Sequence, residues 1–232
     1  MQFFFQLGEV GQYLPMLLRA SAVNLELLGA LLVIGFCIGT LVALLQVYGG
    51  RLLGTLAYVY EWFFRSVPAL VLLFLFYYGP SHFGLDIQSF LAASLALGFR
   101  SSAYQSQIFR GAIQAIPSGQ MAAARALGMS KPRAIAHVIL PQAFRLAIPG
   151  WSNEFSSVVK DTTLAYAVGL NEIMRYARII MDRRYELAMA TFIVVALVFL
   201  AFTYSGNALL GQLERRFKIP GLQMPGSQGA IL

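Results

Sequence analysis

Hydrophobic residues in this chain come in long runs rather than in short alternations or one-sided stripes. About 20 apolar residues in helical form cross a hydrocarbon core. Backbone groups in lipid must be paired within the segment, so helices are the predicted spans. Runs this long do not fit the short alternating strands of a membrane barrel. The first span is predicted over Leu25–Tyr48. Its Gly35-Phe36-Cys37-Ile38-Gly39 reads either as a seam for close helix approach or as chance glycine spacing. Beyond the basic turn Gly49-Gly50-Arg51, a second span is predicted over Leu52–Tyr78, holding Glu61, Arg65 and Pro68. Gly79-Pro80-Ser81-His82 is a turn. A third span, Ile87–Ile113, is interrupted by Arg100-Ser101-Ser102.

Between Pro117 and Pro141 the pattern changes to an alanine-rich segment with Arg125, Lys131 and Arg133 and no acid. Ser118 is the predicted N-cap of a short helix Gly119–Leu127, and Gly128 suits the left-handed residue after its end. Ser130 and Pro132 open a second short helix. The prediction is a helix–elbow–helix at a membrane surface, too short to span. Phe144–Leu170 is long enough to cross but carries Pro149, Asn153, Glu154, Lys160 and Asp161, and hydropathy leaves its crossing open. The last span is predicted over Leu187–Leu210, ending at Glu214-Arg215-Arg216-Phe217-Lys218, and the Pro/Gly-rich tail is predicted to be disordered.

Composition agrees with this pattern. The 232 residues are 58% hydrophobic and 12% charged, against about 45–50% and about 25% in soluble domains. The excess apolar surface must face lipid. Net charge is +7, and basic loops on the cytoplasmic face of a membrane explain it better than nucleic acid does. With Phe144–Leu170 spanning, one side carries Arg51, Arg110, Arg125, Lys131, Arg133, Arg145, Arg215, Arg216 and Lys218. The other carries Arg19, Arg175, Arg178, Arg183 and Arg184, interleaved with Glu172, Asp182 and Glu186. Nine cations against five put the N-terminus outside, the C-terminus inside and the elbow in the cytoplasm. The single Cys37 excludes an intramolecular disulfide, and the N-terminus lacks the basic region and cleavage site of a signal peptide.

The sequence has no phosphate-cradling GxxxxGK[ST] loop, no Cys/His cluster of metal spacing and no nucleophile–base pair. Its candidate chemistry is a set of charges in apolar segments: Glu61, Arg65, Arg100, Glu154, Lys160 and Asp161. Each costs about 2.5–3.5 kcal/mol to insert. They either pair structurally, as Glu61 and Arg65 would at i, i+4, or line a polar path.

The elbow carries the sharpest motif. Gly119-Gln120-Met121-Ala122-Ala123-Ala124-Arg125-Ala126-Leu127-Gly128 leads to Val138-Ile139-Leu140-Pro141. It resembles the cytoplasmic motif of ATP-binding-cassette importer permeases: Glu-Ala-Ala, three residues, Gly, nine residues, Ile-x-Leu-Pro. Ala123, Ala124, Gly128, Val138, Leu140 and Pro141 match, while Ala122 stands where the family usually has Glu. Phe64-Arg65-Ser66-Val67-Pro68, Ala103-Tyr104, Ile108-Phe109-Arg110-Gly111, Asn153-Glu154-Phe155 and Lys160-Asp161-Thr162-Thr163-Leu164 extend the resemblance to polar amino acid permeases.

The resemblance implies an all-α integral membrane protein with a five-helix permease core and a cytoplasmic coupling-helix elbow. The expected layout is an N-terminal extracytoplasmic or interfacial segment (1–22), one permease domain (23–214, elbow 117–141) and a cytoplasmic tail (215–232). Implied partners are an ATPase subunit, a second permease (identical or related), an extracytoplasmic solute-binding protein, an amino acid substrate and the lipid bilayer of the cell's inner membrane. The chain itself would hold no cofactor, with ATP and Mg on the partner ATPase. Substrate contacts are expected from Arg65, Ser66, Arg100, Glu154, Lys160, Asp161 and Thr162, and ATPase coupling from Gln120, Ala122, Ala123, Ala124, Arg125 and Gly128. Arg100 departs from the family pattern. It either favours an acidic amino acid such as glutamate or aspartate, or is neutralised by Glu154. An ion-coupled secondary transporter or channel is the alternative class. It gives no reason for the elbow, and the internal repeats usual in such transporters are not found.

Overall fold

The computed structural model describes residues 2–217, with side chains from Phe5 onward, and all regular elements among them are helical. The tail from Lys218 lies outside the described residues. Ten α-helices follow in order: α1 Gln2–Gly11, α2 Leu14–Tyr48, α3 Gly50–Ser66, α4 Ala69–Tyr78, α5 Ser89–Gln114, α6 Ser118–Ala126, α7 Lys131–Ala134, α8 Leu140–Asp161, α9 Ile173–Arg183 and α10 Ala188–Phe217. Among the described residues, Leu14–Tyr48 and Tyr185–Phe217 are each long and apolar enough to cross a membrane alone. Helices α5 and α8, with 26 and 22 residues, are about 39 and 33 Å long at about 1.5 Å per residue. They have the length to span but carry the polar residues of the bundle.

Several predicted boundaries change. The first span begins at Leu14 rather than Leu25. Its polar residues Ser21 and Asn24 are buried inside the protein, so they do not end the helix. The second span is not one straight helix, because α3 and the α4 segment meet at a bend of 102°. Pro68 disfavours helical geometry at the residue before it, and Val67 is extended at φ −80°, ψ 132°. The second short helix of the elbow does not stand alone. From α7 the chain passes through one π-helical turn, Ile135–Ile139, into α8. Helix α6 starts at Ser118 itself, with Pro117 at the N-cap position, so the Ser118 hydroxyl caps nothing. Gly128 adopts φ +83°, as its place after α6 predicts.

Helix α2 is the spine. Leu17, Ala20, Leu27, Leu31, Gly35, Gly39 and Val42 recur at helical spacing along its buried side. Gly35 and Gly39 form a working seam: a Cβ on Gly35 would fall 2.1 Å from Gln105 Nε2, and one on Gly39 would fall 2.9 Å from the Ser102 carbonyl oxygen. Three apolar clusters follow the spine. The middle one joins Leu27 and Leu31 to Leu72, Ala93, Leu97 and Val158. At one end Leu17 packs with Val10, Ile173, Ala177 and Leu187. At the other, Ala43 packs with Phe109, Ile113, Ile139 and Ala143, the cluster that also receives Met121 of α6. Helix α8 thus starts beside the elbow and ends beside α9, which places α6 and α9 at opposite ends of the bundle. Large apolar side chains left exposed, such as Leu52, Leu56, Val59 and Trp62 on α3 and Leu197, Leu200 and Leu209 on α10, suit contact with lipid.

Candidate functional site

Helix α5 brings the buried polar groups together. Ser101, Ser102, Gln105 and Ser106 are all buried in its midsection, where small side chains let α2 approach. Arg100 reaches to the end of α8, with Nη1 2.6 Å from Asp161 Oδ2. Its partner is therefore Asp161 and not Glu154. The two carboxylates are seven residues apart, on one face of α8, and the nearer end of that face takes the guanidinium. Glu154 instead accepts from Ser101 Oγ at 2.9 Å. Ser101 Oγ also receives Gln105 Nε2 at 3.1 Å, and Trp151 Nε1 donates to Gln105 Oε1 at 2.8 Å.

Tyr104, one turn beyond Arg100, lies beneath two cations. The Arg100 and Arg65 guanidinium carbons stand 4.9 and 5.2 Å from its ring centroid. A π-face of this kind holds guanidinium groups close without neutralising them. Arg65 spends one donor on Glu61 Oε1 at 3.2 Å, the predicted i, i+4 pair, and its side chain stays 36% exposed. The Nε of Arg100 is buried without a hydrogen-bond partner among the described residues. That atom is closed to an incoming group, but an arginine has five N–H donors and the two side chains are 22% and 36% exposed, so both retain donors for an incoming carboxylate.

Glu61 is more than the partner of Arg65. It is buried, and it accepts from Gln46 Nε2 and Gln107 Nε2 at 2.6 Å each and from Arg110 Nη1 at 3.0 Å. Arg110 also rests over the Tyr58 ring at 5.2 Å. One carboxylate thus ties α2, α3 and α5 together.

Of the other expected path residues, Ser66 is exposed beside Arg65 at the α3–α4 break, and Lys160 is exposed with no ion pair among the described residues. Thr162 is buried elsewhere. Its hydroxyl accepts from Asn24 Nδ2 at 3.1 Å, and the same amide donates to Glu172 Oε2 at 3.0 Å. Glu172 Oε1 caps α9 by accepting from the Arg175 backbone N–H at 2.8 Å. Burial pushes the Glu172 carboxyl above its ordinary range, and the hydrogen bonds from Asn24 and the α9 backbone pull it back in part.

On the elbow, α6 is anchored by Met121 and by buried Ala124, while Gln120, Ala122, Ala123, Arg125 and Gly128 are exposed. Leu127 is 81% exposed at its tip. Arg125 Nη1 donates to the Met129 carbonyl at 2.8 Å, closing the turn at Gly128. Lys131 Nζ lies over the Tyr48 ring at 5.3 Å and pins the second arm to α2. The short helix is therefore a rigid knob with an uncovered outer face.

Sequence reading missed Tyr104, Gln46, Gln107, Asn24 and Glu172 as members of these networks. The available signal was the row of small and polar residues at three- and four-residue spacing in α5.

Residues 35–219 match the family model described as the binding-protein-dependent transport system inner membrane component. The chain belongs to this family. The permease is 36% identical over 206 residues to the nopaline transport system permease protein of Agrobacterium fabrum, covering 84% of this chain and 85% of that protein. It is 30% identical over 212 residues to the arginine ABC transporter permease protein of Haemophilus influenzae, covering 88% and 95%. A crystal structure of an amino acid ABC transporter with histidines superposes at TM-score 0.80 with 33% identity, covering 90% of this permease and 97% of that chain. The chain is thus an amino acid ABC transporter permease subunit, membrane-embedded and all-α, with the elbow of an importer permease.

Proposed function

We propose that the permease forms the path for a polar amino acid in an ATP-driven importer, with its N-terminus outside and the α6 elbow in the cytoplasm. In this reading two ATPase subunits, which hold ATP and Mg, dock on the exposed face of α6. A second permease subunit, identical or related, completes the path, and an extracytoplasmic solute-binding protein delivers the substrate. The observation that carries the reading is the uncovered α6 knob, set at the opposite end of α8 from the Arg100–Asp161 pair. Closure of the ATPase pair against the knob reaches α8 through the turn at residues 127–130 and then through α7 and the π-turn, which run into α8 without a break. The relatives named for arginine and nopaline support an amino acid substrate.

The substrate carboxylate is assigned to Arg65 and Arg100 over Tyr104, and its ammonium to Glu154. Lys160 and Ser66 line the exposed approach, and Thr162 holds the end of α8 in place. Arg100 supplies the charge selection. It fills the position beside Asp161 that a cationic side chain would otherwise take, so the reading favours amino acids with an acidic side chain, such as glutamate or aspartate, over basic ones.

The test is uptake by the permease–ATPase complex in proteoliposomes, with competition among acidic, neutral and basic amino acids. Arg100→Gln is expected to raise the rank of basic competitors by freeing Asp161. An unchanged ranking in that variant defeats the selectivity reading. Uptake without the ATPase subunit defeats the importer reading and restores the secondary-transporter alternative.

A further inference from the structure

At the α9 end of the bundle the acids interleaved with basic residues are already committed. Glu172 is buried, capping α9 and bonding Asn24. Glu9 and Glu186 are both held by Arg184, at 2.9 and 2.7 Å. Arg175, Arg178 and Arg183 are exposed, and none makes an ion pair among the described residues. Asp182 alone remains to offset three cations. Between α9 and the 3-10 segment Thr162–Val168 lies an open cavity of about 370 Å³, lined by Tyr166, Arg175, Arg178 and Asp182 among others. The Arg178 guanidinium stands over the Tyr166 ring at 5.3 Å.

We propose that Arg175, Arg178 and Tyr166 form the docking site for a carboxylate-bearing surface of the extracytoplasmic binding protein on which this family depends. The inference rests on the importer reading above. Arginine and tyrosine are the side chains that protein interfaces favour, and a planar guanidinium takes a carboxylate through paired donors. A lipid headgroup fits the face less well. An interfacial helix binds lipid through a free apolar side, whereas Ile173, Ala177 and Ile180 of α9 are already buried in the protein. The position has a mechanical consequence. Tyr166 belongs to the segment that begins directly after Asp161, and Thr162 is tied through Asn24 to Glu172 under α9. A partner seated here bears on the outer end of the path.

The experiment uses the reconstituted permease–ATPase complex and a purified binding protein that stimulates the wild-type complex's ATP hydrolysis. Arg175→Glu with Arg178→Glu is expected to raise the concentration of binding protein for half-maximal stimulation by about tenfold or more, and to flatten its salt dependence. Arg178→Lys, which keeps charge but loses the fork, is expected to fall between the two. Co-purification of the variants with the ATPase subunit reports folding. A wild-type complex that no binding protein stimulates overturns the importer reading and the docking site together. A stimulated wild type with a charge-reversed variant of unchanged half-maximal concentration overturns the docking site alone. So does a defect that appears in vesicles of anionic phospholipid and vanishes in neutral phosphatidylcholine.

Discussion

Arg100 on α5 and Asp161 at the end of α8 are joined by a 2.6 Å ion pair across 61 residues of sequence. Both side chains are about a quarter exposed, so the pair sits at the edge of water rather than in a dry core. It is a brace between two helices, and in the reading proposed above it also sets which charges the path tolerates.

The brace is measured by a double-mutant cycle. Arg100→Gln and Asp161→Asn each leave one charge without its partner, and each is expected to lower the stability of the detergent-solubilised protein by about 1–3 kcal/mol. The double variant is expected to lose less than the sum, with a coupling of about 1 kcal/mol. Additive losses would show that the contact carries no energy.

Glu61 is the more expensive position. Glu61→Gln keeps the shape but removes the charge from beneath Arg65 and Arg110, and it turns an acceptor toward two glutamine donors as a donor. A loss of about 2–4 kcal/mol is expected in thermal unfolding. A variant as stable as the wild type would mean that water satisfies both guanidinium groups.

The α2–α5 seam separates glycines that look alike in sequence. Gly39→Ala sets a methyl 2.9 Å from the Ser102 carbonyl oxygen, against backbone that cannot rotate away, and should destabilise by about 1–3 kcal/mol. Gly29→Ala meets nothing within 4 Å and should be neutral or stabilising by about 0.5–1 kcal/mol. Equal effects at the two positions, read as melting temperatures, would remove the seam.

These contrasts show what was legible. The elbow, the left-handed Gly128 and the Glu61–Arg65 pair follow from spacing within one helix or turn, and local chemistry determines them. The glycine seam was visible but ambiguous, because glycine spacing does not reveal which helix approaches. The partner of Arg100 was not legible at all. Glu154 and Asp161 share a face of α8, and only the axial offset between α5 and α8 chooses between them. Asn24 and Glu172 meet across 148 residues, a pairing no local period encodes. Pro68 lies within an apolar run whose hydropathy conceals the 102° bend at that proline.

Glu172 makes stability depend on pH with a defined sign. Its carboxyl is raised by burial, so the folded state holds a proton that the unfolded chain releases first. Its contribution is complete below the ordinary carboxylate range and is lost as pH rises through that range to the raised value. Comparing wild type with Glu172→Gln in melting temperature isolates the term. The wild type should lose ground relative to the variant as pH climbs across this window, and parallel curves would contradict the assignment.

In the proposed reading the exposed face of α6 receives a separate motor. Ala123→Trp places bulk on that face, away from the anchoring Met121 and Ala124. ATP-driven amino acid uptake by the reconstituted permease–ATPase complex is the direct measurement. The account predicts at least a tenfold loss with the permease's melting temperature unchanged. Full uptake in the variant, or uptake by the permease alone, would contradict it.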